Sequence, residues 1–100
     1  MSGIVVVSGL DVASERAGEL EAAFRSRLGA VDAWPGFQGL EVLRDLARPG
    51  RYVMSSRWAD RTSFARYMRS PEHQASHDRV PGGDAAPRLV FVSRYEVVCR

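Results

Sequence analysis

The chain has 100 residues, enough for one hydrophobic core but not for two independent ones, and is read as a single domain over residues 1–100. With 45% hydrophobic and 26% charged residues it lies outside the composition of disordered chains. A formal charge of +2 is spread over fourteen basic residues, all Arg, and twelve acids, which argues against a basic nucleic-acid stripe; the lack of Lys excludes Schiff-base chemistry and lysine-dependent phosphate loops.

Ile4 to Val12 is β-branched and uninterrupted and reads as a strand, with Ile4, Val6, Ser8 and Leu10 on one face and Val5, Val7 and Gly9 on the other. This apolar run is too short to span a membrane and has no basic region before it, so the chain is expected in the cytoplasm with no membrane partner. Ser14 is placed to cap a helix whose apolar positions Leu20, Phe24, Leu28 and Val31 predict that it runs to about Ala33. Trp34-Pro35-Gly36-Phe37 breaks it, because Pro35 lacks an amide donor and disfavours helical geometry at Trp34.

Gln38 to Leu46 and Arg51 to Trp58 read as an antiparallel hairpin across Ala47-Arg48-Pro49-Gly50. Asp60 is the predicted cap of a second helix carrying Phe64, Tyr67 and Met68, and Ser70-Pro71 signals a short third helix holding His73 and His77. The Gly- and Pro-rich loop Val80 to Pro87, equally a lid or a connector, leads to a last strand from Arg88 to Val98, with Leu89, Phe91, Tyr95 and Val97 set against Val90, Val92 and Val98. Cys99, the only cysteine, excludes an intrachain disulfide or a multi-cysteine metal site.

The order βαββαβ predicts an α+β, ferredoxin-like fold, with a four-stranded antiparallel sheet and both helices on one side. Two helices cover one face only. Because the first and last strands are apolar on both faces, a second copy of the sheet is the expected cover, which predicts a homodimer.

At this point the chain resembles the antibiotic biosynthesis monooxygenase superfamily of dimeric α+β barrels. The resemblance is carried by Phe24, the turn Pro35-Gly36-Phe37-Gln38-Gly39, Leu43-Arg44, Tyr52-Val53, Ser56-Arg57-Trp58, Phe64, and Ser70 through His77. It implies one of three functions: cofactor-independent oxygenation of quinols or aromatic polyketides, haem degradation, or no catalysis. In the haem-degrading branch an Asn on the first strand, a Trp on the second helix and a His act together; the matching positions here are Ser8, Tyr67 and His77, so only the His is kept. In the quinol branch an Asn and a Tyr near a Trp correspond to Met54 and Phe64, so only Trp58 is kept. No Asn occurs anywhere in the chain.

His77, Tyr67 and Ser8 are thus the candidate catalytic residues. An imidazole at His77 can ligate iron or act as a base near neutral pH, or it can be an exposed His on a polar helix. Four residues earlier, His73 shares a helical face with it, but no third metal ligand is evident, so no dedicated metal site is assigned. Tyr67 can donate to a ligand oxygen or serve as core, and Ser8 is the small polar side chain in an apolar strand, where a hydroxyl needs a partner. Trp58, Phe64 and Met54 are the candidate substrate-binding residues; Trp58 either lines a pocket mouth or seals sheet against helix. Arg44 and Arg57 can bind a carboxylate or pair with Glu41 or Asp60. The first functional reading is a cofactor-independent monooxygenase acting on a planar aromatic with dioxygen. The alternatives are a haem-binding or haem-degrading protein with His77 as axial ligand, and a non-catalytic dimeric small-molecule-binding module.

Overall fold

The computed structural model describes residues 3–26, 30–77 and 86–100, with the backbone alone at residues 30 and 75–77. Four strands, β1 (Ile4–Asp11), β2 (Phe37–Arg44), β3 (Arg51–Trp58) and β4 (Arg88–Glu96), form one antiparallel sheet in the order β2-β3-β1-β4. Three helices, α1 (Ala17–Arg25), α2 (Arg61–Met68) and α3 (Pro71–His77), complete the α+β ferredoxin-like arrangement that the element order predicts.

The register fixes which residues share a face. Ile4, Val6, Ser8 and Leu10 stand opposite Trp58, Ser56, Met54 and Tyr52, and all lie on the helix-covered side. That side holds two separate clusters. One joins Ile4, Val6 and Val31 to Trp58, Phe64 and Tyr67, with Trp34 and Phe37 packed against it. The other joins Val12, Leu20 and Tyr52, flanked by Leu10, Phe24 and Val42.

The caps on α2 and α3 form where the sequence puts them. The Asp60 carboxylate accepts from Ser63 N at 2.7 Å, which holds its pKa below the usual range, and Ser70 Oγ accepts from His73 N at 3.1 Å. The first helix departs from expectation at both ends. Ser14–Arg16 form a 3-10 turn and the serine caps nothing; α1 then stops at Arg25, where Ser26 Oγ donates back to Ala22 O at 2.9 Å. Val31 is buried from a second 3-10 turn, Ala30–Ala33, and Leu28 lies outside the described residues. The hairpin turn is tied by Asp45 Oδ1, which accepts from the amides of Ala47 and Arg48. Gly50 closes it at φ +86, where an added Cβ would come within 2.2 Å of Val12 O.

A register shift between Gly9 and Leu10 also corrects the expected faces of β4. Phe91 pairs with Gly9 but Leu89 with Leu10, so the shift moves Leu89 to the opposite face from Phe91, and the strand ends at Glu96 before Val97 and Val98. Phe91 lies over Gly9, where a Cβ would meet its ring at 2.2 Å. This uncovered face carries half-buried Val5, Val7 and Val53 and exposed Leu43, Phe91 and Tyr95. Among the described residues no helix is long and apolar enough to cross a membrane.

Candidate functional site

Between the two clusters lies a row of the sheet whose outermost member, Val42, packs against the second. Reading across the strands it is Val42, Met54, Ser8 and Val92, each opposite the next, with no charged side chain. Val42, Met54 and Ser8 are half-buried and Val92 is 50% exposed. Three interstrand spacings make the row about 14 Å wide. Val42 and Val92 escape a reading of sequence alone, because only the register shows that they complete the row begun by Ser8 and Met54.

Ser8 is thus the only polar side chain in this row, and its hydroxyl makes no hydrogen bond to another described residue. Tyr67 is buried among rings, 5.5 Å from both Trp34 and Trp58 and 5.3 Å from His73 between centroids. Its hydroxyl is likewise unbonded among the described residues. Val6, a neighbour of Tyr67 in the first cluster, is the next same-face residue along β1 from Ser8, so the serine and the tyrosine stand on adjacent ground.

Trp58 and Phe64 are core. Trp58 is 2% exposed, packs edge-on against Phe37 and Phe64 at 5.2 and 5.5 Å, and donates from Nε1 to Ser56 Oγ at 2.9 Å. Both belong to the cluster that holds Tyr67. His77 is the last residue of α3, and its side chain lies outside the described residues, as does most of the loop from Val80 to Pro87. The half-buried His73, by contrast, sets its ring edge-on against Tyr67.

A polar network anchors α1 beside the row. Glu21 accepts from the Tyr52 hydroxyl and from Arg44 Nε and Nη2 at 3.0 and 2.7 Å, with Arg25 at 3.1 Å. These donors, the Arg44 fork first, hold the Glu21 carboxyl down at about 2, while burial, followed by the hydrogen bond to Glu21, raises the Tyr52 phenol. Arg44 therefore pairs with Glu21, not with the expected Glu41 or Asp60. At the far end of β1, Asp11 accepts from Arg51, which lowers its carboxyl. Arg57 is exposed on the opposite face.

Residues 3–79 match the antibiotic biosynthesis monooxygenase family. The chain belongs to that family. It is 29% identical over 90 residues to a haem oxygenase (mycobilin-producing) of Mycobacterium tuberculosis, a match that covers 88% of this chain and 86% of the relative. Among solved structures, the haem-degrader MhuD of the same organism, with two haems bound in its active site, superposes with a TM-score of 0.79 at 27% identity over 97% of both chains. SnoaB, a cofactor-independent oxygenase of Streptomyces nogalater solved in a mutant form, shares the fold with a TM-score of 0.66 at 20% identity over 100% of this chain and 95% of its own.

Proposed function

We propose that this family member binds haem flat against the middle of its helix-covered sheet face and supports oxidation of the bound macrocycle by dioxygen. The observation that carries this reading is the uncharged row Val42-Met54-Ser8-Val92, wide enough for a flat macrocycle, whose members Met54, Ser8 and Val92 belong to neither packed cluster. The likeness to a haem oxygenase and to a haem-degrader over nearly the whole chain supports it.

The residues present suit the group: an apolar floor at Met54 and Val92, the ring of Tyr67, and two histidines, His73 and His77, in the sequence of α3. In this reading His77 would hold the haem iron, Met54 would line the floor, and the hydroxyls of Ser8 and Tyr67 would donate to polar atoms of the ligand. Trp58 and Phe64 hold the tyrosine ring in place from behind. The haem, when bound, supplies the iron that activates dioxygen. The chain's residues orient it, exclude water from the row and keep α1 docked through Glu21.

The uncovered sheet face completes the proposal. Val5, Val7, Val53, Phe91 and Tyr95 form an apolar surface that a second copy of the sheet covers, giving a homodimer.

A second reading, cofactor-independent oxidation of a smaller planar aromatic with His77 as base, is favoured by Tyr67 standing where the haem-degrading branch has Trp, while the lack of any Asn departs from both branches alike. Haemin titration separates the two. Haem binding predicts a saturable Soret shift that His77→Ala abolishes without lowering the melting temperature, and loss of the Soret band when dioxygen and a reductant are added. No Soret shift in the wild-type protein overturns the haem reading. Binding with no turnover of haem leaves the non-catalytic module.

A further inference from the structure

A concavity of about 500 Å³ lies at the sheet edge between α2 and β4, where Phe64 and Arg94 are among its lining residues. Arg61, Ala65 and Met68 of α2 and its C-cap Arg69 recur at helical spacing and share one face, so the two arginines stand two turns or about 12 Å apart. Arg94 enters from β4. It lies opposite Val6 on the helix-covered side, and its guanidinium rests 5.5 Å over the Phe64 ring. That ring fixes the cation at the cleft wall.

Three guanidinium groups therefore line one cleft with a single acid, Glu96. Among the described residues none of the three forms an ion pair, whereas Arg16, Arg25, Arg44, Arg51 and Arg88 all do. Between the cations the wall is apolar: Met68 is 44% exposed, and Ala65 and Phe64 adjoin it.

We propose that this cleft is a binding site for a small carboxylate with an apolar body, separate from the central row and independent of whether haem binds there. The volume suits a small molecule. Planar guanidinium forks match a carboxylate head, the Met68 wall takes the body, and Glu96 disfavours a multiply charged head such as a phosphate monoester.

The methionine methyls locate the ligand, since Met54 lies in the central row and Met68 in the edge cleft. In protein labelled with 13C at the methionine methyls and titrated with dodecanoate, the Met68 resonance is expected to shift and saturate while Met54 stays fixed. Arg94→Gln and Arg61→Gln each weaken dodecanoate binding by about tenfold or more, the scale of one charge-assisted hydrogen bond, with the melting temperature as folding control. Arg94→Lys, which keeps the charge, retains part of the affinity. Dodecyltrimethylammonium, with the same tail and a cationic head, leaves Met68 in place. The proposal is overturned if the ammonium compound binds as well as dodecanoate, if Met54 responds instead of Met68, if neither arginine variant weakens binding, or if dodecanoate moves no methyl.

Discussion

Trp58 offers the sharpest test of whether the aromatic cluster is structure or chemistry. Its ring is 2% exposed, meets three other rings at 5.2 to 5.5 Å and spends its only donor on Ser56. Truncating a buried Trp to Ala costs roughly 3–5 kcal/mol as transfer and cavity terms together. Trp58→Ala belongs at the upper end, because the cavity opens beneath Tyr67 and Phe64, which are held by their own helix and cannot collapse into it. Against a total stability of about 5–15 kcal/mol for such a domain, that is a drop in melting temperature of roughly 15–30 °C. Trp58→Phe keeps a ring but loses the bond to Ser56 and part of the volume, and should cost about 1–2 kcal/mol. Urea unfolding followed by circular dichroism measures both, with an unchanged m-value as the sign that stability alone has moved. The phenylalanine variant should keep ligand binding. A loss below about 1 kcal/mol for Trp58→Ala, or a Trp58→Phe protein that is fully stable yet no longer binds ligand, would refute the assignment of this residue to the core.

Three further outcomes follow from the geometry. Because the Glu21 carboxyl is held at about 2 in the folded protein, below its ordinary value of 4.5, its contribution is present above that ordinary value and lost as pH falls towards 2; the urea midpoint should decline across this window, and Glu21→Gln should flatten the decline while lowering stability at neutral pH. An identical acid slope in the variant would remove Glu21 from that role. Gly9→Val drives a side chain into the Phe91 ring and should cost about 1–3 kcal/mol, most of which Phe91→Ala restores in a double-mutant cycle; additive costs would mean that the ring simply swings away. Val7→Arg, in the middle of the uncovered sheet face, should convert a dimer to a monomer in sedimentation experiments, and a wild-type protein already monomeric would contradict the proposed pairing.

The strands, the hairpin and the caps of α2 and α3 were legible because their signals are local: β-branched runs, Pro and Gly at the turn, Asp60 and Ser70 at helix starts. The first helix misled for the same reason. Leu28 and Val31 continue an apolar period, but periodicity does not report that Ser26 turns its hydroxyl back on Ala22 and that Val31 reaches the core from a 3-10 turn. What joins distant parts of the chain was not readable. Arg44 had nearer acids in sequence, yet its partner lies 23 residues away on α1, and Tyr52 bonds to the same carboxylate across 31 residues. The extra residue in β4 that carries Leu89 to the other face left no mark in the alternation of apolar residues.

Of the candidate site, Ser8, Met54 and Tyr67 were named from sequence, and Ser8 and Met54 stand opposite one another, while Trp58 and Phe64 belong to the buried cluster that holds Tyr67. Val42 and Val92 emerged only from strand register, because nothing in their own neighbourhood distinguishes them from the other valines of the strands.

The most direct test of ligand placement on the central row is the methionine methyl spectrum during haemin titration. Binding where we propose moves or broadens the Met54 resonance in step with the Soret band and leaves Met68 unperturbed. A Soret shift accompanied by change at Met68 alone, or at neither Met54 nor Met68, would place haem away from the row and contradict the reading.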